Sequence, residues 1–275
     1  MRAYVSVDLE GMPYVVSSEH LSVKGALYSE ARKVATRLTT CVARALHERG
    51  FEEVLVADSH GPMVNLLVEE LPEYVEVVRG FPRPLAMVVG VEECDAAVFL
   101  GYHAKAGTAR ATFDHTYSGL VARLKLNDVE VSECLLNAYA AGHYGVPVIL
   151  VAGDKRLLED DVARFMPWAE RVTLKVSYSR YSSRSPSLAK LESELRGAVA
   201  RAVEKLARGE AKPLRVSEPV EVELSFASSA YADVAGLLPG AERVDALTLK
   251  FSARNVIEAY RLVELLILAA TSARR

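Results

Sequence analysis

The stretch AYVSVDLEG, which runs from Ala3 to Gly11, decides the fold. Its first five residues form a short apolar run without clean alternation, and Asp8 follows directly. Such a run is typical of a strand buried on both faces, as in a parallel sheet covered by helices. Neighbours i and i+2 of a strand share a face, so Asp8 and Glu10 are expected to point to the same side. Gly11 then lets the backbone turn away.

The segments that follow alternate between helix and strand. Over Tyr28–Arg49 apolar residues recur at helical spacing, and Gly50 supplies a stop. Further buried strands are predicted at Val54–Ala57, Ala96–Gly101 and Val146–Ala152. Strands that alternate with helices favour right-handed crossovers and a parallel sheet. We therefore predict an α/β fold with a mostly parallel sheet and helices on both faces.

The pattern changes at two places farther along the chain. Residues 119–131 contain two apolar runs around the turn Asn127-Asp128, which predicts a β-hairpin, and Ser132 caps the next helix. The stretch SYSRYSSRSPS at 177–187 is rich in Ser and Arg and is the strongest shift in composition. A domain boundary placed there gives an α/β domain at 1–186, which includes the hairpin, and a smaller α+β domain at 187–275.

Composition excludes several classes of protein. Of 275 residues, 51% are hydrophobic, which allows a substantial core. The 33 basic and 36 acidic side chains leave a formal charge of −3, so no nucleic-acid partner is expected. The longest stretch without charge, Leu135–Gly153, is interrupted by Gly and Pro, and no membrane span is predicted. Charged Arg2, Asp8 and Glu10 leave no signal-peptide core, which favours a cytoplasmic location.

Polar side chains follow three of the predicted buried strands. Asp8 and Glu10 follow the first strand, His60 follows the second and His103 follows the third. Taken singly, Asp8 is equally typical of a turn cap, and a lone histidine of a buried hydrogen-bonded residue. The carboxyl ends of parallel strands line one crevice, so we expect these side chains to meet there. Carboxylates and imidazoles in one cleft suit zinc or a similar divalent ion.

Glu133, in the first turn of the helix after the hairpin, is a fifth possible donor. Five side-chain donors exceed the about three that a catalytic zinc ion takes, so they would suit two ions that share a bridging carboxylate. The charges of three carboxylates and two dications leave room for one hydroxide, and such ions supply hydroxide near neutral pH. The cluster therefore favours hydrolysis, with an amide as a reasonable substrate.

His115 lies in the loop GTARATFDHTYSG, twelve residues after His103. A loop histidine beside a metal pair is suited to act as a general acid or base, or to stabilise negative charge on a substrate carbonyl. By spacing alone, a structural role for His115 is the plainer alternative. Asp114 is interpreted either as a group that orients the His115 ring or as an exposed loop acid. Motifs of nucleotide binding and of serine hydrolases are absent from the sequence.

Seven short motifs together resemble the zinc-dependent D-aminopeptidases encoded in bacterial dipeptide-transport operons. They are SVDLEG at 6–11, ADSHG at 57–61, GYHAKA at 101–106, SECLLNAY at 132–139, VAGD at 151–154, LPG at 238–240 and EAY at 258–260. No single motif is specific, but their order and spacing are, and they span nearly the whole chain. The resemblance implies a homo-oligomer, two stacked pentameric rings around a chamber, that acts on short peptides with an amino-terminal D-residue.

The resemblance also implies a role for each candidate site residue. Asp8 would bridge two zinc ions, Glu10 and His103 would complete one site, His60 and Glu133 would complete the other, and His115 would be the catalytic histidine. The leading hypothesis is an aminopeptidase in which a metal-bound hydroxide attacks the scissile carbonyl. Two alternatives stay open: a non-catalytic dipeptide-binding protein linked to peptide uptake, and a two-metal phosphoesterase.

Overall fold

The computed structural model describes residues 1–274. Its strands are β1 (Arg2–Val7), β2 (Glu53–Asp58), β3 (Val75–Val78), β4 (Ala96–Tyr102), β5 (Val121–Leu126), β6 (Val129–Glu130), β7 (Val148–Asp154), β8 (Glu170–Ser179), β9 (Ser182–Arg184), β10 (Val220–Phe226), β11 (Glu242–Arg243) and β12 (Thr248–Ala253). Its helices are α1 (Tyr28–His47), α2 (Glu133–His143), α3 (Lys155–Leu157), α4 (Ala163–Phe165), α5 (Leu188–Ala207), α6 (Ser229–Ala235) and α7 (Val256–Ala270).

The larger sheet has seven strands in the order β3-β2-β1-β4-β7-β8-β9. All neighbouring pairs are parallel except β8 and β9, which are antiparallel. Val7 at the end of β1 pairs with Asp58 of β2 and with Leu100 of β4, so the three strands end at one level. The order of the strands reverses between β1 and β4. In open parallel sheets the crevice at this switch point is where ligands bind.

Helices cover both faces of this sheet, as predicted. Along β1, Val5 and Val7 pack into the core beneath α1 and α5, whereas Tyr4 packs into the core on the opposite face, which includes α2. The alternation follows from the period of two residues in a strand. The α/β fold predicted from the sequence is thus confirmed.

The second sheet is antiparallel, with five strands in the order β11-β12-β10-β5-β6. The predicted hairpin forms as β5 and β6, and β5 pairs with β10 from the C-terminal part of the chain. Helix α7 contacts β10 and β12 on one side and α2 on the other, so it joins the second sheet to the first. Strands and helices of the C-terminal part thus form the predicted smaller α+β layers.

The Ser- and Arg-rich stretch at 177–187 is more ordered than its composition indicates. It contains the end of β8 and all of β9, which form an antiparallel pair. Helix α5, which follows it, packs on β7 and β8 of the first sheet. The first sheet therefore receives a helix from beyond residue 186, and the second sheet receives the hairpin from before it. The division into domains at 1–186 and 187–275 stays a prediction.

Membrane-spanning helices were sought over residues 1–274. None of the helices there combines the length and the apolar character that crossing a bilayer requires.

Candidate metal centre

The turns after β1 and β4 are held against each other at the switch point. The Asp8 amide donates to the carbonyl of Leu100 at 2.9 Å, and the Gly11 amide donates to that of Gly101 at 2.7 Å. A Cβ atom on Gly11 would lie 1.9 Å from the carbonyl oxygen of Tyr102. Only glycine fits here, because any side chain would force the two turns apart. This contact fixes the side chains that follow β1 relative to those that follow β4.

The five predicted donors come together at this edge of the sheet, and all are buried. Asp8 and Glu10 follow β1, His60 follows β2, His103 follows β4, and Glu133 begins α2. Their exposed fractions are 2% for Asp8, 6% for Glu10, 8% for His60, 2% for His103 and 4% for Glu133. Three of the five are carboxyl groups. They need positive charge nearby, because burial of an unpaired charge is strongly unfavourable.

Asp8 lies between the two histidines, one on each carboxylate oxygen. Its Oδ1 is 3.5 Å from His60 Nδ1 and its Oδ2 is 3.6 Å from His103 Nε2. His103 Nε2 is also 3.4 Å from Glu133 Oε1. Donor atoms of a tetrahedral zinc ion with bonds of about 2.0–2.2 Å lie roughly 3.3–3.6 Å apart. These separations are thus longer than hydrogen bonds and match the edges of a zinc coordination sphere.

Two of these atoms are buried without any hydrogen bond. Asp8 Oδ2 and His103 Nε2 have no partner among residues 1–274. Buried polar atoms are nearly always satisfied, and an unsatisfied pair aimed at a common point indicates a ligand. A cation would satisfy both, so the residues present fit a metal.

Each histidine is oriented by a backbone carbonyl. His60 Nε2 lies 2.9 Å from the carbonyl of Leu21, and His103 Nδ1 lies 2.9 Å from that of Ala104. A carbonyl only accepts, so these nitrogens carry the proton and the opposite nitrogens, His60 Nδ1 and His103 Nε2, can bind a metal. Metal-binding histidines are usually fixed in this way.

The remaining contacts show how the carboxylates are shared. His60 Nδ1 lies 2.7 Å from Glu10 Oε2 and donates to it, so this nitrogen carries a proton that a metal ion would have to displace. Donor atoms of Asp8, Glu10 and His103 also lie within 4.8 Å of one another, which is the set that the resemblance assigns to one zinc ion. Glu10 is therefore close to both His60 and His103. Which ligands share each ion stays a prediction.

The pKa shifts in the cluster indicate that its buried carboxylates favour positive charge nearby. Burial, followed by the charge of Glu10, raises the pKa of Asp8 well above its ordinary value. Burial alone would lower the pKa of His103, but Glu133 and Asp8 outweigh it and raise that pKa to about 10. Similarly, Glu10 outweighs burial at His60 and raises its pKa well above the usual range. A group of carboxylates that holds protons so firmly on imidazoles will also attract a divalent cation.

His115 lies beside the cluster, where the sequence placed it. Its ring stacks on that of His103 with centroids 4.3 Å apart, and its Nε2 is 3.3 Å from Glu133 Oε1. Its Nδ1 is 2.7 Å from the carbonyl of Phe113, which must accept, so Nδ1 carries a proton and Nε2 is the nitrogen that faces the cluster. The side chain is one-fifth exposed, more than any of the five donors. His115 is thus placed to exchange a proton with a ligand in the cleft.

Asp114 does not orient the ring, contrary to one of its two interpretations. Its carboxylate accepts from the Gly107 amide at 2.8 Å and pairs with Arg180. The Arg180 carbonyl in turn accepts from the Phe113 amide at 3.2 Å. Asp114 therefore anchors the loop to the turn between β8 and β9, and the ring is oriented by a backbone carbonyl.

A buried hydrogen-bond network under the cluster was not predicted. Asn137 Oδ1 accepts from Tyr117 at 2.7 Å and from Tyr260 at 2.8 Å, and Asn137 Nδ2 donates to Tyr102 at 3.0 Å. The Tyr117 amide donates to Glu133 Oε1 at 2.6 Å. The network thus connects β4, α2 and α7 to a candidate ligand. Its residues occupy positions that an apolar pattern also fits, so local sequence gives no signal for it.

A cleft of about 460 Å³ opens onto the cluster. Its lining includes Asp8, His60, His115 and Glu133 together with apolar residues from α7 and from the segment before β4. A buried group of acidic and imidazole donors at the floor of such a cleft, at the switch point of a parallel sheet, defines a metal-dependent hydrolase.

Comparison with known proteins identifies the family. The D-aminopeptidase family matches residues 1–265, and the chain belongs to it. The D-aminopeptidase of Bacillus subtilis (strain 168) is 34% identical over 264 residues, which cover 95% of this chain and 94% of that protein. A solved structure, described as the Zn-dependent D-aminopeptidase DppA from Bacillus subtilis, a self-compartmentalizing protease, superposes with a TM-score of 0.94. It is 32% identical and the match covers 98% of each chain.

These similarities bear on the hypotheses drawn from the sequence. They confirm the resemblance to D-aminopeptidases and the assignment of the chain as a metallo-aminopeptidase. They do not favour the dipeptide-binding protein or the phosphoesterase.

Proposed function

We propose that this chain is a zinc-dependent aminopeptidase that removes the amino-terminal residue of short peptides, with D-amino acids as the preferred first residue. The observation that carries the proposal is the convergence of Asp8, which lines the cleft, with His103, since each has a buried donor atom without a hydrogen bond. The D-preference rests on the description of the relatives as D-aminopeptidases.

We propose that the cofactor is two zinc ions per subunit. In this proposal Asp8 would bridge the two ions, Glu10 and His103 would complete one site, and His60 and Glu133 would complete the other. Two further features support a pair: each Asp8 oxygen faces a different histidine, and the five buried donors outnumber the about three side-chain ligands of one catalytic ion. Zinc, when bound, supplies a Lewis acid for the substrate carbonyl and lowers the pKa of water.

His115 is proposed as the catalytic histidine. Because Nδ1–H donates to the Phe113 carbonyl, Nε2 is the ring atom that would accept a proton and later return it to the leaving amine. In its protonated form the same atom can donate to negative charge on the substrate carbonyl oxygen. In this proposal His115 lies beside the five ligands and is not one of them: its Nε2 is 3.3 Å from Glu133 Oε1, and its side chain is more exposed than theirs.

The assembly and the location are proposals of a different kind. The homologous structure is described as a self-compartmentalizing protease, which supports a homo-oligomer, and we propose two stacked pentameric rings with the clefts toward an inner chamber. Native mass spectrometry would give ten subunits for this arrangement, and a monomer would contradict it. The cytoplasmic location stays a prediction.

The proposed function is tested by metal analysis combined with a peptide screen. The purified enzyme is expected to hold zinc and to cleave short D-aminoacyl peptides faster than their L counterparts.

Asp8→Ala should lose both metal and activity, since Asp8 contacts both histidines. His115→Ala should keep zinc and lose turnover. His143→Ala, which changes a histidine at the end of α2 outside the cleft, serves as the matched control. Full turnover in His115→Ala, or zinc retained in Asp8→Ala, would contradict these roles.

A further inference from the structure

Helix α7 presents one face to the cleft above the metal centre. Glu264, Ile267, Leu268 and Thr271 all line it, and their spacing of three, four and seven residues places them on one side of the helix. Three of the four can cover a peptide with apolar or neutral contacts. Glu264 is different, because it carries a charge into a largely apolar wall.

Glu264 is a carboxylate without a partner. It is half-buried, and within residues 1–274 its side chain makes neither an ion pair nor a hydrogen bond. Burial raises its pKa, and the field of Arg83 opposes this. Arg83 itself is committed elsewhere, since its guanidinium donates to the carbonyls of Ala86 at 2.6 Å and Asp58 at 2.9 Å. A carboxylate on a cleft wall that has no partner within residues 1–274 is available to a cationic ligand.

Glu264 lies one helical turn after Tyr260, which belongs to the hydrogen-bond network under the metal cluster. One turn earlier, the Tyr260 hydroxyl lies 2.6 Å from the Tyr117 hydroxyl, and the Tyr117 amide donates to Glu133. Side chains four residues apart on a helix are neighbours at about 5–6 Å. Along α7, Glu264 is thus the first residue after Tyr260 that lines the cleft. Thr271 lies seven residues farther along the chain.

We propose that Glu264 is the specificity residue that binds the α-ammonium group of the substrate. The inference rests on the proposed aminopeptidase function, because an aminopeptidase substrate brings a free ammonium group close to the scissile bond. Of the carboxylates that line the cleft, Asp8, Glu10 and Glu133 belong to the metal cluster, and Glu264 is the one that remains for a cationic ligand. An acetylated or chain-internal amide would leave Glu264 unpaired, so the residue selects for free amino termini.

The kinetic test compares Glu264→Gln with Glu258→Gln in the zinc-loaded enzyme. Glu258 lies on the same helix but outside the cleft, so its variant controls for loss of a negative charge from α7. With an alanine dipeptide, Glu264→Gln should raise KM by about tenfold or more, the usual effect of losing a hydrogen bond to a charged group, and change kcat little. The control should match the wild type. An unchanged KM, or a rise confined to peptides whose first residue is Lys or Arg, would overturn the proposal.

A binding measurement separates this inference from the proposed function. Calorimetric titration compares alanine with propionate, which lacks only the amino group. The wild type and Glu258→Gln should bind alanine more tightly than propionate, and Glu264→Gln should lose that preference. If the preference survives in Glu264→Gln, the inference is wrong even if peptides are cleaved. If the wild type cleaves no peptide but shows the preference, the proposed function fails and Glu264 is still an ammonium site.

Discussion

Substitution of Gly11 by Ala tests whether the contact between the two turns builds the metal centre. A Cβ atom at this position would lie 1.9 Å from the Tyr102 carbonyl oxygen, where real structures keep at least 3.0 Å, so the turns must separate by 1.1 Å or more. The movement acts between Asp8 and Glu10 on one side and His103 on the other. Metal sites tolerate deviations of only about 0.2 Å in their bond lengths.

The expected loss follows from that displacement. We expect zinc affinity to fall by about 10- to 100-fold, the range seen when the support of a ligand is removed. A shift of about 1 Å also lowers kcat/KM by roughly 100-fold, and the forced contact destabilises the fold by about 1–3 kcal/mol. Zinc titration, steady-state kinetics and chemical denaturation measure the three effects.

A glycine elsewhere provides the control. At Gly197, in the interior of α5, a Cβ atom would lie 3.4 Å from the end of the Arg201 side chain. Gly197→Ala should leave zinc affinity unchanged and raise the free energy of unfolding by up to about 1 kcal/mol, as expected for Ala in a helix. If Gly11→Ala binds zinc and unfolds like the wild type, the contact between the turns does not position the ligands.

Two further predictions concern pH. The pKa values of His60 and His103 are raised, that of His103 to about 10, so zinc must displace protons from both side chains when it binds. Zinc affinity should therefore fall steadily as the pH is lowered from 8 to 6. A zinc titration that gives the same affinity across this range would contradict the prediction. Burial lowers the pKa of Lys175 from 10.5 to about 8, so between these values the unfolded chain binds more protons and stability rises with pH by up to about 3 kcal/mol. Urea denaturation at several pH values should show no such rise for Lys175→Met. If the free energy of unfolding changes with pH equally in both proteins, Lys175 is not its source.

The sequence predicted the strands that lead into the candidate site. The strands before Asp8, His60 and His103 are short buried runs that end in polar residues, so local pattern and final structure agree there. Strand β8 was missed because it ends in a Ser-rich stretch and contains Lys175, which is fully buried although lysine is almost always exposed. Its charge is accommodated by a hydrogen bond to the carbonyl of Val15 at 2.8 Å, a contact between residues 160 positions apart.

Local sequence also did not predict how the strands of the second sheet pair or which residues form the cleft wall. The hairpin at β5 and β6 and the alternating strand at Val220–Phe226 were both predicted, but their pairing was not, because pairing between strands nearly a hundred residues apart leaves no local pattern. Glu264 was not singled out, because a single acid in an amphipathic helix is typical of a solvated face. Its significance depends on the wall that α7 forms, which only the three-dimensional structure reveals.

The central claim is that Asp8, Glu10, His60, His103 and Glu133 surround a pair of zinc ions. A crystal of the zinc-loaded enzyme, measured on both sides of the zinc absorption edge, tests it most directly. The account predicts two anomalous peaks per subunit, with Asp8 bound to both. A single peak, or peaks away from these five side chains, would contradict it.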